Sequence, residues 1–228
     1  MTKTLEMLGF EADARVLIVH ADDVGASHAS NVAAFECMER GSLSCASALV
    51  PAPWFAETAS LCKRHPGTDM GIHLTLTAEY ETYRWRSLTG HPSLHAPDGG
   101  MWRSVPEAAR SIDPGVAREE LRAQVRLALD MGIDVTHVDT HMGTVMQPKY
   151  LSAYVDVALE FRLPIFFIRP SERRLASLGE AAPLYAEQAR RLDDAGVPLL
   201  DNVIVETLSE VEPEDKERQF KEWFANLR

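Results

Sequence analysis

The 228-residue chain is 46% hydrophobic and 25% charged, with a formal net charge of -11, which suits a soluble globular protein and disfavours nucleic acid or an anionic membrane as partner. Its length supports one large core, so residues 1–228 read as a single domain. Cys37, Cys45 and Cys62 lack C-x-x-C spacing, and with no apolar leader or transmembrane-length window a reducing, cytoplasmic location is expected.

Val16 to Val19 is an apolar, β-branched run too short for a helix, and predicts a first strand buried on both faces. It runs into Asp22, Asp23 and Gly25. A helix follows over Ser27–Glu39, capped by Ser27 and stopped at Gly41. Ser42–Val50 predicts a second strand, about Trp54–Arg64 a second helix ending before Pro66, and Met70–Thr77 a third strand. Ala78–Pro106 then breaks the rhythm. It carries Tyr80, Tyr83, Trp85 and Trp102 without periodicity, as expected of a long binding loop or lid.

Beyond it, a long amphipathic helix is predicted from about Gly115 to Met131, and a fourth strand over Val135–Asp139. A helix over Tyr150–Arg162, a fifth strand over Pro164–Arg169 and a helix over Ala181–Ala195 follow. A sixth strand over Val197–Glu206 and a closing helix over Glu214–Leu227 complete the chain. Sequential βα units of this kind define an α/β fold with a parallel sheet. A (β/α) barrel is favoured over an open sheet because polar residues fall at the ends of strands one, three and four. A closed barrel needs about eight strands, and about six βα units are read here. The barrel is therefore expected to be irregular or incomplete, or to have its last edge covered by a partner; a homodimer is one such cover.

Two adjacent acids at a strand's carboxyl end call for a cation, for one of them acting as a base, or for a helix cap. His73 in the third strand and His141 beyond the fourth make with Asp23 an Asp-His-His set suited to zinc or another divalent ion. A strand histidine such as His73 also serves as a satisfied core residue. His137, Asp139 and His141 alternate and so share one face of an extended segment. Three ionisable groups there need a metal or a hydrogen-bond network. Asp139 is placed to fix an imidazole tautomer, and His137 joins it as a supporting residue.

Ala-Asp-Asp-Val-Gly at 21–25, Gly-Ile-His-Leu-Thr-Leu at 71–76 and Thr-His-Val-Asp-Thr-His at 136–141 resemble the three signatures of the YdjC-like carbohydrate deacetylase family. Pro-Ser-Leu at 92–94, Asp-Gly-Gly-Met-Trp at 98–102 and Ile168-Arg169 also fit, so the resemblance runs from about residue 15 to 170. It implies a barrel-like fold and metal-dependent removal of acetyl groups from N-acetylated sugars, typically chitin-derived oligosaccharides. It assigns Asp23, His73 and His141 as ligands of a divalent metal ion, zinc or magnesium, and Asp22 as the general base. Met142-Gly143 stands where many members have further histidines, which alters the expected sugar pocket. A later strand with a His-Pro motif is also absent, so the C-terminal part of the barrel is expected to be missing.

The expected activity is hydrolysis of an acetamido sugar or oligosaccharide, with Asp22 as base and Arg169 assisting at the oxyanion. Arg169 equally suits a structural ion pair. Tyr83, Trp85 and Trp102, with Tyr80, would supply stacking faces for sugar rings. The rival readings are a metal-assisted sugar isomerase or lyase and a non-catalytic sugar-binding relative.

Overall fold

The computed structural model describes residues 3–11, 13–204 and 212–226. After a short helix α1 (Lys3–Met7), strand β1 (His20–Val24) leads into α2 (His28–Glu39), β2 (Cys45–Ala48), α3 (Phe55–Arg64) and β3 (Met70–Leu74). Helices α4 (Val105–Ser111) and α5 (Pro114–Asp130) precede β4 (Val135–Thr140). Helices α6 (Pro148–Phe161), α7 (Glu172–Leu178), α8 (Ala182–Asp194) and α9 (Pro213–Asn226) follow. The four strands are all parallel and stand in chain order β1-β2-β3-β4. Sequential order with helical crossovers is the winding of a barrel wall, and the fold is α/β and barrel-like. Among the described residues, no helix is long and apolar enough to cross a membrane.

Local chemistry explains most boundaries. Ser27 and Ser30 form a reciprocal capping box at the start of α2. Asp113 caps α5, and Pro114 occupies its first turn, where a missing N–H costs nothing. The core joins β-strand residues such as Val24, Ala46, Ile72 and Val138 to Leu121 and Val125 of α5 and Tyr150 and Tyr154 of α6. Two buried polar side chains of α5 tie down the loop after β3. Glu120 accepts from Leu88 N and Thr89 N at 3.0 and 2.9 Å, and Gln124 bonds both backbone groups of Thr75.

Three sequence expectations need correction. The first strand starts at His20, not Val16, and Val16, Leu17 and Ile18 are exposed rather than buried on both faces. Within the described residues β1 is an edge, so its apolar lead-in has no second neighbour. Pro164–Arg169 forms no ladder because it changes partner midway. Phe166 N donates to Val138 O at 2.8 Å, whereas Arg169 N donates to Leu200 O at 2.7 Å. Proline at 164 also lacks a donor. Of the proposed sixth strand, only Leu200 makes a bridge, to Ile168; residues 205 and 206 lie outside the described residues. Among the described residues the sheet order thus continues past β4 as isolated bridges, Val138 to Ile165 and Ile168 to Leu200.

Candidate metal centre

The register of β3 and β4 sets His73 beside Asp139. His73 Nδ1 donates to Asp139 Oδ1 at 2.8 Å, while Ser47 Oγ of β2 donates to Asp139 Oδ2 at 2.8 Å. Both residues are buried, and the carboxylate fixes the imidazole with its Nε2 free. That Nε2 lies 3.5 Å from Asp23 Oδ1. His141, at the end of β4, repeats the pattern: Nε2 bonds Glu79 Oε2 at 2.7 Å, and Nδ1 faces the same Asp23 Oδ1 at 3.1 Å. The two rings meet edge to face with centroids 5.1 Å apart.

The acidic doublet is brought to this point by a backbone irregularity. In a regular strand Asp22 and Asp23 would point to opposite faces. Here the β1–β2 register shifts between Ala21 and Val24, and Asp23 takes φ = 61°. That left-handed conformation is uncommon outside glycine, and aspartate tolerates it better than most. Asp22 then keeps the face of His20, whose Nδ1 bonds Asp22 Oδ1 at 2.8 Å, while Asp23 reaches the two imidazoles. Gly25 completes the turn with φ = 96°, and its N–H donates to buried Asn31 Oδ1 at 2.7 Å. A Cβ at Gly25 would stand 3.2 Å from Leu49 O.

Burial raises the Asp22 carboxyl, but the His20 hydrogen bond and the His73 charge outweigh it and hold the group below its ordinary value. Asp23 is lowered in the same way, against burial, by His141 and His73. Conversely, burial disfavours a proton on His141, yet Asp23 and Glu79 raise it to about 9. His73 is raised too, Asp139 prevailing over burial. The cluster is therefore an anionic cradle that holds positive charge, as protons or as a cation.

Asp23, His73 and His141 offer one ligand atom each within 4.8 Å of one another. The fit to a divalent ion is good on the geometry of the donors. Each imidazole has one nitrogen tied to a carboxylate and the other turned to Asp23, the carboxylate–histidine pairing that orients metal ligands. Glu79, His20 and Ser47 are not among the residues anticipated from the sequence. His20 was legible, since it alternates with Asp22 on one strand face. Glu79 was not, because it follows the end of β3 in irregular chain.

The other anticipated residues divide. Asp139 is hydrogen-bonded to His73, but His137 turns to His20, with the Nε2 atoms 3.0 Å apart. Trp85 is buried, its Nε1 donating to Thr77 O at 2.9 Å and its ring 5.9 Å from His141, so it walls the centre rather than offering an open face. Trp102 Nε1 donates to Ser93 O at 2.7 Å. Tyr80 and Tyr83 are exposed, and Tyr83 Oη donates to Ala26 O at 2.6 Å beside the acidic turn. Arg169 is not brought to the cluster. Its guanidinium faces Asp193 at 3.3 Å, Asp201 at 3.6 Å and Thr4 Oγ1 at 3.0 Å, so its charge is already engaged.

Fold and site together define an α/β barrel-like protein with an Asp-His-His centre at the carboxyl ends of its strands. A family model described as YdjC-like protein matches residues 16–228, and the chain belongs to that family. A carbohydrate deacetylase of Thermus thermophilus is 34% identical over 194 residues, covering 85% of this chain and 67% of that protein. One of Brevibacillus brevis is 31% identical over 149 residues, 65% of this chain and 58% of its own length. The chain thus spans about three fifths to two thirds of these relatives. A crystal structure of a protein from Enterococcus faecalis V583, described as a cellobiose-phosphate cleavage protein, superposes with a TM-score of 0.70 at 20% identity. It covers 92% of this chain and 76% of that one, and this likeness speaks to the fold.

Proposed function

We infer that the chain is a metal-dependent carbohydrate deacetylase, hydrolysing the acetamide of an N-acetylated sugar. The observation that carries this reading is the pair of carboxylate-backed imidazoles converging on Asp23, with a second carboxylate, Asp22, next to them and 57% exposed. The names of the relatives support the substrate class. Asp23, His73 and His141 would hold a divalent ion, and two imidazoles in three ligands favour zinc over magnesium. Such an ion supplies Lewis-acid polarisation of a carbonyl and makes water nucleophilic near neutral pH.

In this reading Asp22 is the general base. Its Oδ1 is held by His20, which fixes the carboxylate and leaves the second oxygen to take a proton from the attacking water. The water oxygen bonds to the acetyl carbon, the C–N bond breaks, and the proton held on Asp22 passes to the departing amine. Acetate and the free amino sugar result. Tyr80 and Tyr83 offer exposed rings for a sugar, and the loop from 78 to 106 serves as the binding loop of a single barrel-like domain. Arg169 has no part in this step, because two carboxylates hold it elsewhere. The three free thiols, Cys37, Cys45 and Cys62, accord with a reducing cytoplasm.

The test pairs metal analysis with acetate release from N-acetylglucosamine oligomers. Asp22→Asn should retain the ion of this centre and lose turnover by roughly 100-fold or more, whereas Asp23→Ala should lose both that ion and turnover. Full turnover in Asp22→Asn, or in chelator-treated protein, would overturn the reading.

A further inference from the structure

Strand alternation puts a second set of side chains two residues before the centre just described. His20, Cys45, Gly71 and His137 precede Asp22, Ser47, His73 and Asp139 on the same sheet face, and His20 is in register with Cys45. His20, Cys45 and His137 bring one ligand atom each within 4.8 Å of one another. Neither imidazole contacts Asp23, and the deacetylation step uses only His20 Nδ1.

The hydrogen bonds fix how these rings face each other. His20 Nδ1 is spent on the Asp22 carboxylate at 2.8 Å. Thr136 Oγ1 gives its proton to Asp69, so it accepts from His137 Nδ1, 2.9 Å away. Both Nδ1 atoms are therefore the protonated ones, and both Nε2 lone pairs point at one another across 3.0 Å. Two lone pairs so placed repel unless a cation lies between them. A bare proton needs no third partner, whereas the Cys45 sulfur lies within 4.8 Å of both rings' ligand atoms and Asp139 Oδ2 lies 3.6 Å from His20 Nε2.

Room has also been made for the rings. A Cβ on Gly71 would come 2.4 Å from His137 Nε2, so the imidazole occupies space that only glycine leaves open. The surroundings are negative: burial first, then Asp69, Asp139 and Asp22, push the Cys45 thiol up to about 12. Carboxylates that oppose a lone thiolate attract a cation, and the bound cation in turn stabilises the thiolate.

We propose that His20, Cys45 and His137 form a second metal site, separate from the Asp23–His73–His141 centre, for a thiophilic divalent ion such as zinc. Two imidazoles and a thiolate are a zinc donor set. Asp139, on the Nε2 side of His20, is a candidate for a fourth position and links the two sites, since its other oxygen holds His73. On binding, the Cys45 S–H bond breaks, the sulfur keeps the electron pair and bonds the ion, and the proton leaves to solvent.

The experiment is a cobalt(II) titration of the full chain after chelator treatment, followed by metal analysis and absorption. Thiolate coordination gives a near-ultraviolet sulfur-to-cobalt charge-transfer band that an Asp-His-His centre cannot produce. Two bound equivalents with that band are expected. Cys45→Ser should lose the band and one equivalent, while Asp23→Ala should lose one equivalent and keep the band. A single equivalent without the band would overturn this site, with a shared proton bridging the histidines, and leave the deacetylase centre standing. A band that survives Cys45→Ser would overturn it as well, since Cys37 or Cys62 would be its source. A single equivalent that carries the band would support this site and remove the metal basis of the deacetylase reading. The unmodified protein decides the main question even where a variant fails to fold.

Discussion

Replacing His141 with glutamine in the metal-free protein removes an imidazole gripped by Asp23 at 3.1 Å and Glu79 at 2.7 Å. Burial opposes a proton on that ring, but the two carboxylates move it from an ordinary 6.5 to about 9. A proton bound more tightly in the folded than in the unfolded chain stabilises the fold by about 1.4 kcal/mol per pH unit of the difference. The gap of about 2.5 is then on the order of 3 kcal/mol. Because the folded value is the raised one, this contribution is complete below the unfolded value near 6.5 and fades as pH rises through about 9.

Asp23 and Glu79 act in the opposite sense. Burial raises each, His141 (with His73 in the case of Asp23) more than offsets it, and both end below their ordinary values. Their contribution is present above about pH 4 and is lost in stronger acid. Urea midpoints of metal-free protein should therefore fall between about pH 6.5 and 9.5, and the His141→Gln variant should show a shallower fall, keeping only the share that the raised His73 contributes. With zinc present the trend reverses, because the ion needs the ring unprotonated and its stabilisation grows with pH. Parallel pH profiles for wild type and His141→Gln would refute the reasoning.

Glu79→Gln should weaken zinc binding by about 10–100-fold, read by competition with a chromophoric chelator; unchanged affinity would mean the His141–Glu79 pair does not orient a ligand. Asn31 is buried, accepts from Gly25 N and Thr58 Oγ1, and donates to Trp54 O and Glu57. Asn31→Ala should cost about 2–3 kcal/mol in urea unfolding, with zinc affinity lowered because the turn after Asp23 loses its brace. Gly71→Ala puts a methyl 2.4 Å from His137 Nε2. It should cost about 1–3 kcal/mol in the same assay, and wild-type stability would show that the ring has space to retreat.

What the sequence disclosed followed from local rules. The helix from Ser27, the long helix ending near Met131 and the strand carrying His137 and Asp139 declare themselves by caps, Pro at the first turn and period. The ends of the sheet do not. Val16 to Val19 looks like a central strand because apolar β-branched residues satisfy that pattern whether or not a neighbour exists, and burial is decided by the neighbour. Pro164–Arg169 fails for the converse reason: its composition suits a strand, but pairing divides between Val138 and Leu200. At the centre, Asp23, His73 and His141 stood out as a candidate ligand set, but a helix cap for the doublet and a core role for His73 remained open, and the resemblance chose among them. Glu79 and Ser47 were not legible, since nothing local distinguishes a carboxylate or hydroxyl that supports an imidazole from one that faces water.

The acidic doublet shows how such a centre divides labour between identical side chains. The register shift before Val24 and the left-handed Asp23 place two carboxylates on one side of a strand that would otherwise separate them. Their repulsion is then met mainly by different hydrogen-bond partners, His20 for Asp22 and His141 for Asp23, with the charge of His73 acting on both. Both acids are thereby kept ionised, as the proposed roles of base and ligand would each require. A carboxylate held below its ordinary value is nevertheless a weak base toward ordinary water. In the proposed reaction Asp22 would suffice only for a water whose own proton has been loosened, so base strength and cation binding would be two halves of one requirement. That coupling is why Asp22→Asn and Asp23→Ala must be compared by metal content and turnover together: a variant with the ion and no turnover isolates the base, and one with neither isolates the ligand.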